Sequence, residues 1–214
     1  MSDRINNQNR NKIIIFIIII VLIIGIVFGV RKIHDHFSHE AAIREEENDP
    51  QLQAEREQQT RERRFMKTIS GPAIRAYRRN YQVLPSIVIA QAIVESNWGT
   101  SKLYQVANNP FGIKGKYHGH SVSYETTEYA NHRKATISAV FRKYPSLGAA
   151  INDHDQALSR GFIHRNHVMS YITDAKLLQK NHYATDPNYA KKLINIIRQY
   201  HLGKYDLQAL NGRT

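Results

Sequence analysis

The chain has 214 residues, with 30 Lys and Arg against 18 Asp and Glu, a formal net charge of +12, a pI near 9.9 and no cysteine. Without cysteine it can form neither a disulfide framework nor a Cys-ligated zinc site, so its folded part must rest on a hydrophobic core. The positive balance disfavours cationic partners and favours polyanions: nucleic acid, or the anionic polymers of a wall or membrane surface.

The first feature in chain order is "KIIIFIIIIVLIIGIVFGVRK". Residues 13–30 hold no charge, a length that just spans a bilayer and exceeds the ordinary apolar core of a signal peptide. No small-x-small cleavage site follows in "RKIHDHFSHEAA", which predicts an uncleaved signal anchor at 13–30. Arg4, Arg10 and Lys12 precede the span and Arg31 and Lys32 follow it, so residues 1–12 are expected in the cytoplasm and the rest outside the cell.

Residues 31–64 read as a linker, because from Arg44 to Arg64 the chain is almost wholly polar and cannot bury a core. Residues 65–214 are long enough for one domain and contain the chain's whole charge excess, since acids and bases balance in the remainder.

Within that domain, Phe65 to Tyr81 is predicted helical, broken or kinked at Gly71-Pro72, with Ile69, Ile74 and Tyr77 turned inward. Pro85 opens and Gly99 closes a second helix, "PSIVIAQAIVESNWG", apolar almost all the way round and so predicted to be the central buried one. "NNPFGIKGKYHGH" is loop. The β-branched and aromatic stretches "SVSYETTEY" and "KATISAVFRKY" predict a hairpin.

Ser146 caps a helix with Leu147, Ala150, Ile151 and Leu158 on one side, and "NDHD" at 152–155 reads as its polar face. Residues 170–179 are helical. A last helix is expected from an Asp186 cap and Pro187 through Leu193, Ile197 and Tyr200, stopping at Gly203. The fold class is therefore α+β, mainly α.

Glu95 is the one charge in the central helix, in a last turn whose carbonyls disfavour a carboxylate, with Trp98 three positions on. Both influences raise its pKa, which suits a group that must deliver a proton near neutral pH. Glycoside hydrolysis commonly needs a second carboxylate. The aspartates sit in helical or capping contexts, which leaves Glu125 and Glu128 on the first strand. Strand alternation puts Tyr124, Thr126 and Glu128 on one face and Glu125, Thr127 and Tyr129 on the other, so only one glutamate can face the helix end.

"YQVLPSIVIAQAIVESNWGTSKLYQVANNPFGIKGKYHG", "TTEYANHRKATISAVFRKYPSLGAAINDHDQAL" and "HYATDPNYAKKLINIIRQYHL" together resemble the peptidoglycan N-acetylglucosaminidases of glycoside hydrolase family 73, over almost all of residues 65–205. The resemblance implies a lysozyme-like fold with Glu95 of "VESNWG" as general acid and Glu128 of "TTEY" as second carboxylate. It also implies a loop beside the cleft at Asn109, Pro110 and Phe111, where the family more often has another residue in place of the proline, and an active-site tyrosine at Tyr183. Trp98 and Tyr124 are further candidates for contact with the sugar.

The function expected is a membrane-anchored endo-β-N-acetylglucosaminidase acting on peptidoglycan strands, held near anionic wall polymers by its charge. The alternatives are a lytic transglycosylase and a glycan-binding scaffold without turnover. No cofactor or metal is expected: HExxH, GxSxG, P-loop and dinucleotide patterns are absent, and "HDHFSH" at 34–39 lacks a separated ligand pair. An external domain would be kept from nucleic acid.

Overall fold

The run that begins at Leu84 folds as the helix Pro85–Ser96, in which Ile87, Val88, Ile89, Ala90 and Ala92 are wholly buried. The computed structural model describes residues 25, 28–38, 48–130, 133–163 and 170–212, and for 126–130 and 133–137 the backbone alone. Its contacts divide the chain into Met1–Gln59 and Thr60–Thr214.

In the first unit residues 28–38 are helical, and from residue 31 they fall in the stretch read as a polar linker. Most of the apolar run 13–30 lies outside the described residues. Among those described, no helix is long and apolar enough to cross a membrane.

The labelled elements are α1 (Pro50–Asn80), α2 (Pro85–Ser96), α3 (Lys102–Ala107), β1 (Ser121–Ala130), β2 (Arg133–Arg142), α4 (Leu147–Gly161), α5 (Tyr171–Lys180), α6 (Tyr189–Gln199) and α7 (Gly203–Asn211). The strands pair antiparallel as a two-stranded sheet, with Tyr124 opposite Ala139, Glu125 opposite Ser138 and Glu128 opposite Ala135. The mainly helical α+β class is as expected.

Three helix boundaries differ from expectation. α1 continues through Gly71-Pro72 without a break, and it extends back over residues assigned to the linker. An interior proline costs a helix roughly 3 kcal/mol. Burial of Phe65, Ile69, Ala73, Ala76 and Tyr77 on one stripe outweighs that cost, at about 1.5–3 kcal/mol for each large apolar side chain.

α6 begins at Tyr189 rather than at Pro187. Asp186 does not cap it; the Asp186 carboxylate instead accepts from Asn188 N–H and from Lys192 Nζ, each at 2.8 Å, making a turn ahead of the helix. The helix expected to run on to Gly203 ends at Gln199, and Gly203 opens a further helix, α7.

α7 explains how the central helix starts. Leu84, its N-cap, supplies no side-chain bond. Asp206 of α7 does so from a distance, accepting Ser86 N–H at 2.8 Å and Ser86 Oγ–H at 2.6 Å. A buried carboxylate thus satisfies a terminal amide and complements the positive end of the helix dipole.

The other end of α2 closes through Asn97, Trp98 and Gly99, with φ of 46°, 58° and 73°. A Cβ on Gly99 would lie 2.5 Å from the Phe65 ring, so only glycine fits this turn.

Candidate active site

Glu95 stands in the final turn of α2, where the chain leaves the core. Its side chain reaches solvent at the edge of a cleft, yet the walls enclose it enough that loss of water raises its pKa. Opposing that shift are a hydrogen bond from Tyr189 and the charges of His154 and Lys192, in that order. Enclosure is therefore the leading cause, where the helix-end carbonyls and Trp98 were expected to raise it.

Tyr189 Oη lies 3.1 Å from Glu95 Oε1, and Gln91 Nε2 donates to Tyr189 Oη at 3.1 Å. Gln91 and Glu95 are one turn apart on α2, so they share a face and Tyr189 of α6 bridges them. Burial first, then the neighbouring Tyr183 and Glu95, push the Tyr189 phenol far up, which keeps it a neutral donor.

The cleft beside Glu95 encloses about 520 Å³, and its walls include Phe111 and Ile113 from the loop after α3, His154 and Leu158 from α4, and Tyr183 with Thr185 from the segment before α6. That is the size range of small-ligand sites. Phe111 stacks flat on His154, with ring centroids 3.8 Å apart and planes at 13°. His154 Nδ1 in turn lies 3.2 Å from Asp155 Oδ1, and both residues are buried. The reading of "NDHD" as a polar helix face therefore holds only for Asn152 and Asp153; His154 and Asp155 turn inward.

Phe111 and Tyr183 line the cleft as expected of them. Tyr183 packs its ring 5.5 Å from that of Tyr189, and burial together with the Glu95 charge raises its phenol pKa. Asn109 and Trp98 are placed otherwise.

The Asn109 side chain is buried and committed to the backbone: Nδ2 donates to Ile113 O at 3.0 Å and Arg142 O at 2.9 Å, while Oδ1 accepts from Ile113 N–H at 3.1 Å. It pins the cleft loop to β2 and has no hydrogen left for a sugar. Trp98 wedges edge-on between Phe65 and Tyr200, at 6.3 and 4.7 Å, and does not line the cleft. It packs the end of α2.

Tyr124 is half-buried on β1 and Glu125 is exposed. The Glu128 backbone lies on β1, and its side chain is outside the described residues. Among the described residues Glu95 is the only carboxylate lining the cleft, and none of them form a metal-holding cluster of His and acids.

Gln91, Tyr189 and His154 were not foreseen as site residues. Helical spacing carried the signal for two of them: His154 follows Ala150 and Ile151 by four and three positions, and Tyr189 precedes Leu193 and Ile197 by four and eight. Both therefore share their helix's buried stripe.

Comparison with known proteins bears on this geometry. The family model described as mannosyl-glycoprotein endo-beta-N-acetylglucosaminidase matches residues 71–202. The exo-glucosaminidase LytG of Bacillus subtilis (strain 168) is 44% identical over 149 residues, which cover 66% of this chain and 52% of the relative. The peptidoglycan hydrolase FlgJ of Escherichia coli (strain K12) is 34% identical over 143 residues, covering 63% and 45%. The chain thus spans about half the length of these two relatives.

Among solved structures, the catalytic domain of the autolysin Auto from Listeria monocytogenes superposes with a TM-score of 0.62 at 37% identity, over 68% of this chain and 88% of that domain. The mainly helical core with a two-stranded sheet agrees with a lysozyme-like fold.

Proposed function

The chain belongs to the glucosaminidase family, glycoside hydrolase family 73, and from that premise we propose that it hydrolyses peptidoglycan strands at the β-1,4 bond between N-acetylglucosamine and N-acetylmuramic acid. The observation that carries the proposal is Glu95: a carboxyl whose pKa is raised by enclosure, oriented by a buried tyrosine, at the edge of a cleft of sugar-binding size.

In this reading Glu95 gives its proton to the glycosidic oxygen as the C1–O bond breaks. Charge then develops at the sugar ring, and Tyr183 of the cleft wall is the candidate to hydrogen-bond the acetamido group. Water adds to C1, and its proton passes to a carboxylate. Glu128 on β1 is the candidate for that second role, and Phe111 supplies an apolar wall for the sugar ring.

We place the protein at the cell membrane, anchored through residues 13–30, with the domain on the outer side. There its charge attracts anionic wall polymers over a screened distance of about 10 Å.

One other reading, a lytic transglycosylase that also works with one carboxyl such as Glu95, breaks the neighbouring bond at the muramic C1, where that unit's own 6-hydroxyl adds in place of water. Mass spectrometry of muropeptides released by the protein separates the readings. Reducing N-acetylglucosamine ends are expected; anhydro-muramic ends would establish the transglycosylase, and no release would leave a binding scaffold.

A further inference from the structure

Past Ile113 the cleft loop and α4 line a second basin. Three residues on, Lys116, Tyr117 and His118 face Asn152, Asp153 and Gln156 of α4 across this basin of about 420 Å³. Asp153 on this basin and Ala157 on the first are one helical turn apart on α4, and Lys116 and Ile113 are three residues apart on the loop, so the same two segments supply walls to both basins.

The chemistry of the second basin differs from that of the first. The Asp153 carboxylate accepts from Arg142 Nη1 and from Tyr144 Oη, both at 2.5 Å, so two opposite charges cancel at its floor. Lys116 adds an exposed cation at the rim. Asn152 Oδ1 accepts from Arg79, which orients its amide hydrogens away from that contact, and Gln156 brings a second amide. Tyr117 offers an aromatic face. Amides, an aromatic face and one cation suit a sugar unit that carries a carboxylate.

We propose that this basin is an outlying subsite of the same groove, holding an amino-sugar unit whose peptide stem carries a free carboxylate that pairs with Lys116. The proposal rests on the glycan-hydrolase reading and names what lies beyond the cleaved bond. Binding there contributes affinity rather than chemistry, so Lys116 and Gln156 alter KM and leave kcat unchanged.

The test is calorimetric binding to the full-length chain carrying Glu95→Gln, so that strands are not cut, using soluble peptide-bearing glycan strands in native and carboxyl-amidated forms. Lys116→Gln should weaken native binding by up to about fivefold, the range for an exposed ion pair, and leave binding of amidated strands unchanged. Gln156→Ala should weaken both forms alike. Equal loss on both forms with Lys116→Gln, or no loss on either, would overturn the carboxylate assignment; an unaffected Gln156→Ala would overturn the sugar subsite. Absence of turnover by the unsubstituted chain would refute the hydrolase reading alone, since these binding constants do not depend on it.

Discussion

Tyr189 Oη accepts a hydrogen from Gln91 and therefore directs its own single hydrogen at Glu95 Oε1, 3.1 Å away. The oxygen that receives this bond is the one that stays unprotonated. The acidic hydrogen of Glu95 must then sit on Oε2.

Tyr189→Phe removes the hydrogen bond that holds the Glu95 pKa down, so that pKa should rise further. With Glu95 as the proposed general acid its protonated form is the active one, so the alkaline limb of the kcat/KM profile should move to higher pH while kcat falls. A pH–rate series on the variant and its parent measures both. An unmoved limb would mean that the bond has no hold on the acid.

Glu95→Gln should abolish turnover, since Glu95 is the only carboxyl lining the cleft among the described residues. It should also stabilise the fold at neutral pH. The folded-state pKa of Glu95 is raised, so ionisation costs stability above that pKa, and the cost disappears below the ordinary carboxylate range, where both states are protonated. Melting curves should show the variant ahead at pH 7 and the two proteins converging in acid.

The hairpin register separates the other two glutamates. Glu128 and Glu125 are three positions apart on β1, with backbones opposite Ala135 and Ser138, an odd spacing that puts them at positions of opposite phase along the strand. If Glu128 serves as second carboxylate, Glu128→Gln should lower kcat by several orders of magnitude, whereas Glu125→Gln should have little effect. The reverse pattern would assign the opposite strand face to the cleft.

Asp206→Ala tests the distant cap on α2. It strips partners from the buried Ser86 amide and hydroxyl, which should cost about 1–3 kcal/mol. Denaturant unfolding reads the loss. At temperatures where the variant stays folded, its kcat should match the parent's, because Asp206 caps the far end of the helix from Glu95.

Much of this architecture is legible in the sequence because it is local. Alternation in "SVSYETTEY" and "KATISAVFRKY" specifies a hairpin, Ser146 marks the start of α4 by accepting Ala149 N–H at 3.2 Å, and Pro85 with Gly99 brackets the central helix and puts Glu95 at its end. Spacing also says which residues share a helix face, so the inward turn of His154 was encoded in its phase with Ile151 and Leu158.

What a face meets is another matter. Glu95 and Tyr189 are 94 positions apart, and Ser86 and Asp206 are 120 apart; no periodicity within either segment states that these side chains will touch. The unbroken passage of α1 through Pro72 is likewise a tertiary outcome, since the local cost of the proline is outweighed only when Ile69, Ala73 and Tyr77 find the core. The sequence by itself determined the place of Glu95 at the end of its helix and the hairpin; only the packing of α6 and α7 against α2 decided which groups touch Glu95 and hold its helix, because those contacts depend on the path of the whole chain.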